Sequence, residues 1–185
     1  MSTNIAELNE WLARIAIALE SRAQPTVRSG FFDYRLKVYC NAVKGNGDGW
    51  YSLHDGVATT QKPVFRGEII SISFPTVERR GQEVRKFHLV MKADDETVTF
   101  ESGHDCFFSK TILSAFAMSS PEILASPIQL ATYVKTLNTG DQTLAVSLRD
   151  SSGTRLPCDW QNDDDWKSIA TLAISNVNEA ISSRQ

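Results

Sequence analysis

Between residues 64 and 149, apolar and polar side chains alternate in five runs separated by polar breaks. The runs are residues 64–74 (VFRGEIISISF), 83–92 (EVRKFHLVMK), 97–102 (TVTFES), 128–137 and 143–149. Each predicts a β-strand with one face in a core and one in water. In the second run Phe87, Leu89 and Met91 point one way, and Lys86, His88 and Lys92 point toward solvent. In the fourth, Ile128, Leu130, Thr132 and Val134 oppose Gln129, Tyr133 and Lys135; in the fifth, Leu144, Val146 and Leu148 oppose Thr143, Ser147 and Arg149. The first run is less regular, with Ile69 and Ile70 adjacent and Gly67 inside it, the mark of a bulge or a bend. Residues 75–82 (PTVERRGQ) read as a charged turn, and residues 108–117 as a helix between the third and fourth strands.

The flanks carry their own periodicities. Ile5, Leu8, Leu12, Ile15 and Leu19 recur at helical spacing beside Trp11, so residues 3–23 predict an amphipathic helix closed by Pro25. Residues 31–41 alternate strictly: Phe32, Tyr34, Leu36, Val38 and Cys40 against Asp33, Arg35, Lys37, Tyr39 and Asn41. With the turn at residues 45–49 (GNGDG) and a return at 50–53, they predict a hairpin. The glycine run lacks the Lys-Ser/Thr of a phosphate loop and opens no helix. Residues 55–63 read as a polar loop, 151–153 as a turn, and 154–160 as a continuation or return of the last strand. The tail, residues 163–182, reads as a helix with Asp163, Asp164 and Asp165 in its first turn, where a helix favours negative charge.

Composition narrows the classes. With 42% hydrophobic and 22% charged residues, the 185-residue chain is neither disordered nor fibrous. A net charge of −3 means that contact with a polyanion would need a local basic patch. Cys40, Cys106 and Cys158 are odd in number and widely spaced, which predicts free thiols in a reducing compartment. The sequence has no signal-peptide pattern and no apolar run of membrane-spanning length, so the expectation is a cytoplasmic protein without membrane contact.

One helix between the third and fourth of five strands is the order of the OB-fold, a small Greek-key barrel. The expected fold is therefore mainly β: a barrel of β-β-β-α-β-β order, with an N-terminal helix plus hairpin and a C-terminal helix. The alternatives are a β-sandwich and an α+β arrangement. The expected divisions are an extension over residues 1–63, the barrel over 64–160 and the C-terminal helix over 161–185, together one unit.

The candidate chemistry gathers at the first hairpin, where Arg79, Arg80, Arg85 and Lys86 follow one another closely, with Glu78 and Glu83 among them. His88 and Lys92 continue the cationic face of the second strand, and Tyr133 and Lys135 are offered by the fourth. Cations that track a backbone, with a ring for stacking, are what single-stranded nucleic acid requires. The plainer reading is a solvated hairpin tip and a half-buried tyrosine. On this element order and this basic hairpin, residues 64–149 resemble the OB-fold single-stranded-DNA-binding modules of bacteria and their mobile elements. The resemblance implies sequence-tolerant binding to single strands, oligomeric assembly and no cofactor.

Enzyme readings have less behind them. Gly103-His104-Asp105-Cys106 sets three reactive types side by side before a helix. Catalytic bases and nucleophiles usually come from distant segments, so Cys106 reads as a small packed residue and Asp105 or Ser109 as a helix cap. His88, His104 and Cys106 have no standard metal-ligand spacing. The expectation is no catalytic residue and no metal site. A third class is a protein-interaction adaptor that uses the stripes of the terminal helices, with Trp11 and Trp166; the plainer reading packs both stripes on the barrel.

Overall fold

The structure is a computed structural model that describes residues 35–41, 49–94 and 96–185. The helix expected at residues 3–23, the start of the strand at 31–34 and the glycine-rich turn up to Asp48 lie outside these residues. In chain order come β1 (Leu36–Tyr39), β2 (Tyr51–His54), β3 (Val57–Thr60), β4 (Val64–Ser73), β5 (Thr76–Arg79), β6 (Gln82–Ala93) and β7 (Glu96–Gly103). Then follow helix α1 (Phe107–Met118), the short α2 (Pro121–Leu124), β8 (Ile128–Thr136), β9 (Gln142–Arg149) and α3 (Trp166–Ser182). The protein is mainly β, one sheet with a C-terminal helix packed on it.

The sheet turns on β4. Its first residues pair with β8, Phe65 opposite Leu130 and Gly67 opposite Ile128; from Glu68 onward it pairs with β6. Gly67 stands where the partner changes. A Cβ there would lie 2.5 Å from the Lys92 carbonyl oxygen, so only glycine lets the two backbones approach this closely. Two residues on, the register slips between Ile69 and Ser71. This bulge explains the irregular first run, because Ile69 faces the core while Ile70 is exposed.

The described strands run in the order β3-β2-β1-β7-β6-β4-β8-β9, with β5 paired to β6. The path is open at both ends and does not close into a barrel. All pairings are antiparallel except that of β1 with β7, where Val38 lies beside Phe100 and Tyr39 beside Glu101. Two segments expected to be loops are strands. Residues 55–63 hold β3, joined to β2 by Asp55 and Gly56, both at positive φ. The charged turn at residues 75–82 holds β5, and only Arg80 and Gly81, at φ 53° and 74°, form the tip. Both are two-residue turns that match the twist of the strands they join.

The core lies between the sheet and the helices. Phe87, Leu89, Met91 and Phe100 of the central strands and Ile128, Leu130, Leu144 and Val146 of β8 and β9 share one buried cluster with Phe108, Ile112 and Phe116 of α1, which packs chiefly on β9. Helix α1 is buried almost all round, from Phe108 to Phe116. Its polar groups are met by the returning segment after β9: Ser114 Oγ donates to the Asp159 carbonyl (2.8 Å) and Trp160 Nε1 to Thr111 Oγ1 (3.4 Å). At its C-terminus, Asn176 Nδ2 of α3 lies 3.0–3.2 Å from the carbonyls of Phe116, Ala117 and Ser119, acceptors that the helix itself leaves unpaired. Small or short residues, Ala173, Val177 and Ala180, let α3 sit close to α1. The three aspartates precede α3 and do not form its first turn; Asp165 is the N-cap and accepts from the Ser168 N–H. Among the described residues no helix is long and apolar enough to cross a membrane.

Candidate nucleic-acid interface

Alternation puts Lys37 and Tyr39 on one face of β1, and the parallel pairing with β7 brings that face beside Glu101. From the other side β6 sets His88 opposite Glu101. Lys37, Arg79 and the His88 imidazole thereby converge on one carboxylate whose side chain is only 6% exposed. Lys37 Nζ is 3.1 Å and His88 Nε2 3.0 Å from Oε2, and Arg79 Nη2, at the end of β5, is 3.5 Å from Oε1. Burial pushes the Glu101 carboxyl up, but the hydrogen bonds and charges of Lys37 and His88 outweigh it and hold the group below its ordinary value. Two permanent cations and an imidazole thus face one anion. Lys37 and Arg79 remain 42% and 50% exposed. The cluster continues into rings: Lys37 Nζ lies 5.9 Å from the Tyr39 centroid, and Tyr39 stacks on Tyr51 at 5.5 Å.

The candidates named from the sequence divide around this cluster. Arg79 and His88 belong to it, and Arg80 is exposed at the adjoining tip. Lys86 is a correction: it is 7% exposed and not on a solvent face. β6 runs through the middle of the sheet, flanked by β7 and by β4 and β5, where even an outward residue loses most of its water. His88 is also largely shielded, and of these three residues only Lys92 is exposed. Arg85 is exposed and lies 5.4 Å from the Phe74 ring. Tyr133, 45% exposed, and Lys135 sit on β8, which pairs with β4 and β9 and not with β6 or β7. Lys135 lies over Phe107 at 4.6 Å, at the start of α1.

Phe107 opens a second aromatic group. It meets Trp160 edge-on at 5.0 Å, and Trp160 meets Trp166 at 5.5 Å. Lys110 lies over both tryptophan rings and pairs with Asp105 at 2.7 Å. A groove of about 500 Å³ opens beside this group, between α1, α3 and the end of β4.

The run from Gly103 to Cys106 is tied into the start of α1 and the edge of β6. His104 Nδ1 donates to the Arg85 carbonyl (3.0 Å), and Cys106 is the N-cap of α1, its N–H donating to Ser109 Oγ (3.2 Å). Among the described residues no group of His, Cys, Asp and Glu is arranged to hold a metal ion. Sequence reasoning missed Lys37, Tyr39, Tyr51 and Glu101 as site residues. The strict alternation of residues 31–41 was the available signal, since it already set Lys37 and Tyr39 together on one face.

Comparison with protein-family models, with curated proteins and with solved structures finds no match to this chain.

Proposed function

We propose that this chain is a single-stranded nucleic-acid-binding protein, without catalytic activity or a cofactor, built on an OB-type arrangement of strands. The observation that carries the reading is the gathering of Lys37, Arg79 and His88 around Glu101, continuous with the Tyr39–Tyr51 stack and beside the exposed tip residue Arg80. The path β7-β6-β4-β8-β9, with β4 shared by two partners and α1 falling in chain order between β7 and β8, the third and fourth of these strands, supports it. Glu101 holds the ends of Lys37 and Arg79 in place, and the charge left over is positive. Phosphates pair with that excess and bases stack on the tyrosine surface, a mode that tolerates any sequence. Lys92 extends the basic surface along β6; Arg85 lies on the opposite face of that strand, and Tyr133 and Lys135 lie apart on β8.

The test is fluorescence anisotropy of a labelled thirty-base oligonucleotide at several salt concentrations. The wild type binds single strands more tightly than duplex, and binding weakens as salt rises. Replacing Lys37, Arg79 and Arg80 together by glutamine lowers affinity at least tenfold. It also flattens the salt dependence by about 0.7 in log–log slope for each phosphate contact removed. An unchanged affinity in the folded triple variant, or no binding at low salt, sinks the proposal.

A further inference from the structure

The groove between α1, α3 and the end of β4 has a use that the sheet-face cluster does not absorb. Its floor is apolar, formed by Phe74, Leu113, Trp166, Ala170 and Ile174. Its rim carries Arg85, Lys110 and Lys167 against one acid, Asp105. Lys110 spends its charge on Asp105 at 2.7 Å. Arg85 and Lys167 have no ion-pair partner within 4.0 Å among the described residues. The rim therefore has an excess of two positive charges, in a chain whose net charge is −3. A surface of that sign over an apolar floor selects an occupant that is acidic and apolar at once.

The shape narrows the occupant further. At about 500 Å³ the groove falls within the range of ligand sites. It is half open to solvent, where a small-molecule site encloses most of its ligand. A half-open groove suits one large side chain delivered by a polypeptide. Trp166 of the floor keeps its indole N–H buried without an acceptor.

We infer that this groove docks a segment of a partner protein in which an aromatic residue is flanked by carboxylates. The aromatic ring seats on Phe74, Leu113 and Ile174, and the carboxylates meet Arg85 and Lys167. The site is separate from the cluster around Glu101, so the inference does not depend on nucleic-acid binding.

The test uses the full chain, labelled with ¹⁵N, and the blocked peptide Asp-Asp-Phe-Asp-Asp. The chain has 4 tryptophans, so the indole region is sparse, and a Trp166→Phe variant identifies the Trp166 resonance. Titration moves that resonance saturably, and affinity falls at least tenfold for the peptide with asparagines in place of aspartates or with alanine in place of phenylalanine. Arg85→Glu and Lys167→Glu each weaken binding at least tenfold. Ala170→Trp fills the groove and abolishes binding; where it fails to fold, the exposed Lys167→Glu carries the test. Oligonucleotide anisotropy on the Lys167→Glu variant stays at the wild-type value. The inference is overturned if the Trp166 resonance does not move up to millimolar peptide, or if the three peptides bind equally. An oligonucleotide that displaces the peptide overturns it too, by assigning the groove to the nucleic-acid surface.

Discussion

Replacing Glu101 by glutamine keeps the size of the side chain and removes the charge around which Lys37, Arg79 and His88 gather. The loss can be built from the three contacts. The His88 bond is shielded, with 18% of that side chain exposed, and a hydrogen bond to a charged group contributes about 1.5–3 kcal/mol. Lys37 and Arg79 are 42% and 50% exposed, so water screens each pair to about 0.2–1 kcal/mol. Against these stands the cost of burying the carboxylate, which glutamine no longer bears. The lowered carboxyl shows that attraction exceeds that cost, and the expected net loss is about 1–3 kcal/mol at neutral pH. The pH dependence follows from the same direction. A carboxyl held below its ordinary value contributes stability in full above that value, near 4.5, and loses it as pH falls through the folded-state value. Urea unfolding followed by tryptophan fluorescence, at pH 7 and again at about pH 3.5, should therefore show a gap between wild type and Glu101→Gln that narrows in acid. Equal stability at pH 7, or a gap that acid leaves unchanged, would refute the reasoning. Combining Glu101→Gln with His88→Ala should cost less than the sum of the two, since both remove one contact.

Two further substitutions probe the frame that holds the cluster. Gly67→Ala drives a methyl to 2.5 Å from the Lys92 carbonyl oxygen, a backbone atom that moves only with the sheet; a loss of about 1–3 kcal/mol is expected in urea unfolding, and a neutral result would mean that β4 can switch partners without close approach. Asn176→Ala takes the donor from three carbonyls at the end of α1, with an expected loss of about 1–3 kcal/mol and faster amide exchange in the last turn of that helix.

How far the molecule could be read from its sequence depended on how local the deciding contact was. β6, β8 and β9 keep their large apolar residues at every second position against a single core, so their positions and inward faces follow from period two, as does α1 from its unbroken run between polar breaks. The two missed strands, β3 and β5, bury almost nothing and carry charge or threonine, which leaves no apolar period to detect. Asp55-Gly56 was nevertheless a hairpin signal in plain sight. The pairing of β1 with β7 was out of reach, because it joins distant segments and no local pattern encodes it. The site followed suit. Arg79 and His88 were legible as cations, but Glu101 reads as one more outward polar residue of TVTFES until β1 and β6 are set on either side of it. Lys86 misled because alternation reports which side a residue faces, not how crowded that side is.

The parallel contact between β1 and β7 also orders events in time. Leu36 pairs with Val98, 62 positions later, whereas β6–β7 and β8–β9 close across turns of a few residues. Local hairpins form early, and contacts that close long loops wait. During synthesis β1 leaves the ribosome well before its partner exists. When β7 does arrive, folded against β6, its outer row of amides and carbonyls is bare until β1 returns to it. A bare strand edge invites pairing with another chain. The strand that completes the candidate binding surface therefore doubles as the protein's guard against self-association while it is being made.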